Sequence, residues 1–130
     1  MLFRIYKSII FRLLSIFSIR QLSNCNKVIY LTFDDGPEPN ITEFIIHTLI
    51  KYNAKATFFC TGYNFEKYPE LVELIKNNGH TFGNHTYSHI DGLKVDSKTY
   101  IDEVNRTKKI IQTNLFRPPW GAVSIRKFLK

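Results

Sequence analysis

Cysteine is scarce in this chain. Only Cys25 and Cys60 occur, far apart and in no C-x-x-C pair, which excludes a disulfide-built scaffold. They read as two free thiols, or one buried, and carry no chemistry. A membrane-spanning run is also missing: the longest uncharged apolar-rich stretch, Leu13 to Ile19, falls well short of the ~18–20 residues a bilayer requires. No small-residue cleavage site follows it, so it makes a poor secretory signal. There is no internal repeat and no low-complexity segment.

Acid is absent from residues 1–27, where Arg4, Lys7, Arg12, Arg20 and Lys27 give a charge of +5. Arg126, Lys127 and Lys130 add +3 near the other end, whereas residues 28–120 hold ten basic and eleven acidic side chains. The net charge of +7 therefore belongs to the two ends. A nucleic-acid-binding domain carries its basic patch on the folded body, and this body is near neutral, so no nucleic-acid partner is expected.

What is present is core material. Of 130 residues, 44% are hydrophobic and 15% aromatic, against 22% charged. That profile fits a globular chain and a length of one domain, or part of a larger one. Residues 1–26 form a separate basic, apolar segment. On a helical wheel Arg4, Lys7, Ser8, Ser15 and Ser18 share one side. Leu2, Ile5, Tyr6, Ile9, Leu13, Ile16 and Phe17 share the other, with Phe11 intruding on the polar side. Residues 1–21 fit a helix lying on an anionic membrane surface and equally a helix packed against its own domain. An uncleaved signal-anchor is the third reading.

From residue 27 onward strands and helices alternate. Lys27–Phe33 is a β-branched and aromatic run that reads as a strand and stops at Asp34-Asp35-Gly36-Pro37. Asn40, with Glu43 in a capping-box position, opens a helix to about Tyr52 whose apolar positions are Ile41, Phe44, Ile45, Leu49 and Tyr52. Lys55–Cys60 is a second strand, ended by Thr61-Gly62. Pro69–Asn77 is a helix with proline in its first turn and Asn78-Gly79 as its stop. His80–Asn84 is a short strand. Asp96 caps a helix over Ser97–Thr113, on which Tyr100, Val104, Lys108 and Ile111 share a face. Leu115-Phe116 is a fourth short strand, halted by Pro118-Pro119, and another helix is expected after Gly121. This alternation predicts an α/β fold with parallel strands and right-handed crossovers.

In parallel α/β folds the reacting groups gather where strands end. Three such ends carry chemistry here. Asp34 and Asp35 are adjacent carboxylates at the first. Neighbouring strand residues point oppositely, so one can hold a metal while the other faces a water; a plain Asp-Gly turn is the alternative. His85 and His89, spaced His-x-x-x-His, can converge on one divalent ion, although solvated histidines at this spacing also occur. A carboxylate with two imidazoles leaves coordination positions open for water and substrate, as in catalytic rather than structural zinc sites. Arg117 before a Pro-Pro corner can aim a carboxylate, and the stiff backbone after it can offer an N–H to a developing oxyanion; a structural turn with a surface arginine is the alternative.

TFDDGP, then HTYSH within GNHTYSH, then RPPWG resemble, in that order, the first three motifs of the polysaccharide deacetylase family. This is the NodB-homology domain, or carbohydrate esterase family 4. KATFFCTG and NNGHTFGNH resemble its wording as well, and the likeness covers about residues 27–121. It implies a distorted (β/α) barrel and metal-dependent removal of N-acetyl groups from amino sugars of a polysaccharide or oligosaccharide. It further implies that Asp35, His85 and His89 hold the divalent metal, usually zinc. Asp34 would be the general base, aimed by Arg117, and the backbone N–H of Trp120 would bind the oxyanion. Thr86 would brace the histidine loop. The expected partner is an N-acetylated glycan; the expected location is the cell envelope or a membrane, with the cytoplasm as the alternative.

The chain departs from that pattern after RPPWG. The family's fourth motif, with its aspartate, and its fifth, with the histidine that protonates the leaving nitrogen, do not appear before Lys130. Only His47 and His80 remain, one inside a predicted helix and one in a position that reads as structural. Residues 27–130 thus read as the N-terminal portion of a barrel that is incomplete at its C-terminus, since a whole one takes ~200 residues or more. The competing reading is a truncated, inactive remnant that retains metal or sugar binding.

Overall fold

The computed structural model describes residues 28–121 together with 123, 124 and 127. The expected N-terminal helix, Cys25 and nearly all of the helix expected after Gly121 lie outside the described residues.

Three strands make one parallel sheet. Strand β1 spans Leu31–Asp34, β2 Ala56–Cys60 and β3 Thr81–Asn84, in the order β1-β2-β3. Leu31 pairs with Ala56 and Asp34 with Phe59; Thr57 pairs with Thr81 and Cys60 with Asn84. Helix α1 covers Ile41–Lys51, α2 Gly62–Lys67, α3 Pro69–Asn77 and α4 Ser97–Ile111, and a 3-10 turn follows at Pro119–Gly121. The central strand β2 is buried along most of its length, as expected of a strand with neighbours on both edges and helices against the sheet. Phe58 and Cys60 pack there with Ile46 and Leu49 of α1, Ile75 of α3 and Ile111 of α4. Phe33 stacks on Phe58 with ring centroids 5.2 Å apart, and Phe65 meets Phe82 edge-on at 5.1 Å. Cys60 is fully buried, and that burial pushes its thiol pKa up to about 12. The thiol is therefore inert at neutral pH.

The helix signals act where the sequence puts them. The Asn40 N–H donates to the Glu43 carboxylate at 2.8 Å. Asp96 accepts from the N–H groups of Lys98 and Thr99 at 2.8 and 3.0 Å. Pro69 opens α3, where its missing N–H costs nothing.

Five expectations need correcting. The first strand begins at Leu31 and takes in Asp34, so residues 28–30 precede it. The apolar stripe of α1 is rotated: Thr42, Ile46 and Leu49 are buried, while Ile41, Phe44 and Tyr52 are exposed. Thr42 can turn inward because its hydroxyl accepts the Glu38 N–H at 2.8 Å. On α4, Thr107 joins Tyr100 and Ile111 in the buried face and Lys108 stays in water. That helix ends at Ile111, where Gln112 turns left-handed, rather than at Thr113. Finally, the expected strand at Leu115-Phe116 shrinks to a single bridge, Asn84 to Phe116, because the prolines that follow have no N–H with which to extend a ladder.

Candidate active site

The C-terminal ends of β1, β2 and β3 form one rim, and all three motifs meet on it. Asp34 is the last residue of β1. Asp35, with φ 72°, turns into the left-handed region. Its N–H donates to the Phe59 carbonyl at 3.1 Å, and its own carbonyl accepts from Asn64 Nδ2 at 2.9 Å. The turn sends the two carboxylates apart. Asp34 reaches Arg117; Asp35 reaches both motif histidines.

The histidine loop follows β3. The His85 N–H donates to the Cys60 carbonyl at 2.9 Å, and the N–H groups of Gly62 and Tyr63 donate to the carbonyls of Thr86 and Tyr87, both at 3.0 Å. Asn84, 2% exposed, accepts the Thr86 N–H at 2.9 Å and donates to the Val104 carbonyl at 2.8 Å. Thr86 braces the loop through this backbone; its buried hydroxyl has no partner among the described residues.

His85 is 3% exposed, and its Nδ1 lies 2.7 Å from the Arg117 carbonyl oxygen. A carbonyl only accepts, so Nδ1 carries the proton and the Nε2 lone pair faces outward. Burial pushes the His85 pKa down, against the raising effects of that carbonyl and of Asp34 and Asp35. Nε2 of His85 lies 3.3 Å from Asp35 Oδ1, and Nε2 of His89 lies 3.0 Å from the same oxygen. One ligand atom from each of the three residues falls within 4.8 Å of the others. A tetrahedral ion with bonds of about 2.0–2.1 Å holds its ligands about 3.4 Å apart, so these donors fit a small divalent ion.

Arg117 stands beside this cluster. Its N–H donates to the Asn84 carbonyl at 3.0 Å, which pins the segment to the end of β3. Its Nη1 donates to Asp34 Oδ1 at 2.6 Å and to Thr32 Oγ1 at 2.9 Å. The guanidinium also lies 4.1 Å from the centre of the Phe59 ring. Trp120 is left-handed, with φ 60°, and 76% exposed. Its ring meets His89 edge-on at 5.2 Å.

Among the described residues, seven that are not glycine have positive φ. Asn40, Asn53 and Gln112 are at helix ends, but Asp35, Thr86, His89 and Trp120 are all at this rim. Each such residue costs roughly 1–3 kcal/mol and persists only where its surroundings over-determine it. A cleft lined by Asp35, Thr61, Tyr63, Asn64, Tyr87, Ser88 and His89 opens beside the cluster. The other two histidines serve elsewhere. His47 sits on an exposed position of α1, and His80 is in the core, 5.5 Å from the Phe58 ring, accepting the Ala56 N–H at 3.3 Å.

The comparisons with known proteins now decide the family. The model of the family described as polysaccharide deacetylase matches residues 22–128. The chain belongs to the polysaccharide deacetylase family. It is 42% identical over 99 residues to a peptidoglycan-N-acetylglucosamine deacetylase of Bacillus cereus, covering 72% of this chain and 36% of that relative. The solved peptidoglycan deacetylase PdaC from Bacillus subtilis superposes with a TM-score of 0.77 at 35% identity, over 84% of this chain and 57% of that one. A carbohydrate esterase family 4 pseudoenzyme from Bacillus anthracis shares the fold as well, with a TM-score of 0.72 at 23% identity over 81% of this chain and 40% of that one. The chain thus spans 36% of the length of the first relative and 57% and 40% of the two solved chains.

Thr32, Asn64 and Asn84 are site residues that the motifs did not reveal. The signal for Thr32 and Asn84 was present inside the motif strings, at TFDDGP and GNHTYSH, but their partners are far away in sequence or on the backbone. Asn64 lies outside every motif and had no sequence signal.

Proposed function

We propose that this chain carries the metal-binding and base-bearing part of a carbohydrate N-deacetylase acting on N-acetylated amino sugars of a cell-envelope glycan. One observation carries the reading: Asp35, His85 and His89 converge on a single point, while the neighbouring Asp34 is held by Arg117 instead of joining them. The donor set of one carboxylate and two imidazoles is one that catalytic zinc sites use. When bound, such an ion supplies Lewis acidity and acidified water near neutral pH. The chain's own residues do the rest. Asp34 accepts the proton of the attacking water, Arg117 aims Asp34, and the Trp120 N–H donates to the developing oxyanion. The three-stranded sheet is then the opening part of a distorted (β/α) barrel. Several of its relatives are peptidoglycan deacetylases by name, which favours an envelope location, although another is a chitooligosaccharide deacetylase.

A second reading is a remnant that binds metal or sugar without turnover. A carbohydrate esterase family 4 pseudoenzyme that shares this fold is its precedent. Acetate release from N-acetylglucosamine oligomers by zinc-loaded protein separates the two. Turnover that is lost in Asp34→Asn, with zinc retained, supports the deacetylase. Stoichiometric zinc without acetate supports the remnant, and failure to bind zinc overturns the deacetylase and leaves only a sugar-binding remnant.

A further inference from the structure

The geometry points to Glu103, on helix α4, as the residue that positions the second histidine of the cluster. This rests on the reading of Asp35, His85 and His89 as metal ligands. One oxygen of Glu103, Oε2, accepts both the backbone N–H of Ser88 at 2.7 Å and the Ser88 hydroxyl at 2.9 Å. Two groups of one residue are thereby fixed by a single carboxylate oxygen, which sets both the backbone and the side-chain torsion of Ser88. The next residue is His89, whose φ of 58° is left-handed. A β-carbon makes that conformation unfavourable, so His89 holds it only if its neighbours are tied down.

Helix α4 is well placed to do this, because it is itself anchored. The Val104 carbonyl accepts from buried Asn84, and Thr107 and Tyr100 are fully buried beneath it. The same helix grips the loop on the other side of Ser88. The Arg106 guanidinium lies 3.3 Å from the centre of the Tyr87 ring, and the Tyr87 hydroxyl donates to Glu66 at 2.8 Å. No motif contains Glu103, and its side chain meets none of the three ligand atoms. It acts through Ser88.

The test is a competitive zinc titration, paired with the visible spectrum of the cobalt-substituted protein, on wild type, Glu103→Ala, Glu103→Gln and Ser88→Ala. Groups that orient metal ligands typically change affinity by about 10–100-fold when removed. Glu103→Ala is expected to weaken zinc binding by that factor and to alter the cobalt spectrum. Glu103→Gln keeps an acceptor oxygen and should recover most of the loss. Ser88→Ala keeps the N–H bond and should lose only a few-fold. Folded Glu103→Ala with wild-type zinc affinity and an unchanged cobalt spectrum overturns the proposal. If Glu103→Ala does not fold, Ser88→Ala decides: affinity equal to wild type overturns it. Wild-type protein that binds no zinc would instead defeat the ligand reading, and this proposal with it.

Discussion

Arg117 holds His85 and Asp34 with opposite ends of itself: its carbonyl oxygen is 2.7 Å from His85 Nδ1, and its guanidinium is 2.6 Å from Asp34 Oδ1. One residue therefore fixes the tautomer of a candidate ligand and the direction of a candidate base. The two functions are separable by mutation, because only one of them uses the side chain.

Arg117→Ala keeps the carbonyl and loses the guanidinium. Zinc stoichiometry should stay at the wild-type value, while acetate release should fall by ~10²–10⁴-fold, the contribution of a positioned base. Both are measured on the same preparation, metal by elemental analysis and acetate by a coupled assay. Loss of zinc together with turnover would show that the side chain supports the whole rim and does more than aim Asp34.

Metal binding should also appear in stability. A ligand that binds only the folded chain at 100 times its dissociation constant adds about 2.7 kcal/mol. The melting temperature of wild type should rise with added zinc. Asp35→Ala and His85→Ala should erase that rise, while Asp34→Asn should keep it. A zinc-dependent rise of equal size in all four proteins would remove Asp35 and His85 from the ligand set.

His80 gives the fold a pH dependence of its own. It is 9% exposed and accepts the Ala56 N–H on Nδ1, so it must be neutral in place. Burial, and secondarily the charge of Lys55, push its pKa below the ordinary 6.5. Protonation then favours the unfolded chain. The contribution of neutral His80 is complete above about pH 6.5 and is lost as pH falls toward the lowered folded-state value. Urea midpoints of metal-free protein at pH 7.5 and 5.5 should therefore drop more for wild type than for His80→Asn, which keeps an acceptor but does not titrate. Equal drops would show that His80 is not the source.

Local chemistry made much of this legible in advance. Strand β2 and helix α3 lie within a residue of where Lys55–Cys60 and Pro69–Asn77 put them, because a β-branched and aromatic run and an N-terminal proline act through the chain nearby. Asp96 caps α4 for the same reason. Helix α2 was missed because Thr61-Gly62 reads as a strand stop, whereas the Thr61 hydroxyl accepts the Asn64 N–H at 3.3 Å and starts a helix. The facing of α1 depends on what β2 offers it, and composition alone does not set that. At the rim, the motif residues announce themselves by type. Thr32 does not: its partner Arg117 is 85 residues away, and no local pattern connects them.

Glycine at position 83 links core packing to the rim. A β-carbon there would run into the Phe59 ring, and neither β2 nor β3 can slide, since Phe59 and Gly83 are register partners. The ring must move instead. Phe59 carries the Arg117 guanidinium at 4.1 Å, and Arg117 in turn holds Asp34 at 2.6 Å. Gly83→Ala should thus cost ~1–3 kcal/mol of stability, as overpacking does, and should also reduce turnover below what the loss of folded protein explains. Zinc affinity should be altered much less, because Asp35 and His89 do not rest on that ring. Denaturant unfolding, zinc titration and acetate release on the one variant resolve the three effects. A destabilised protein with wild-type turnover per folded molecule would break the link from Gly83 through Phe59 to Asp34.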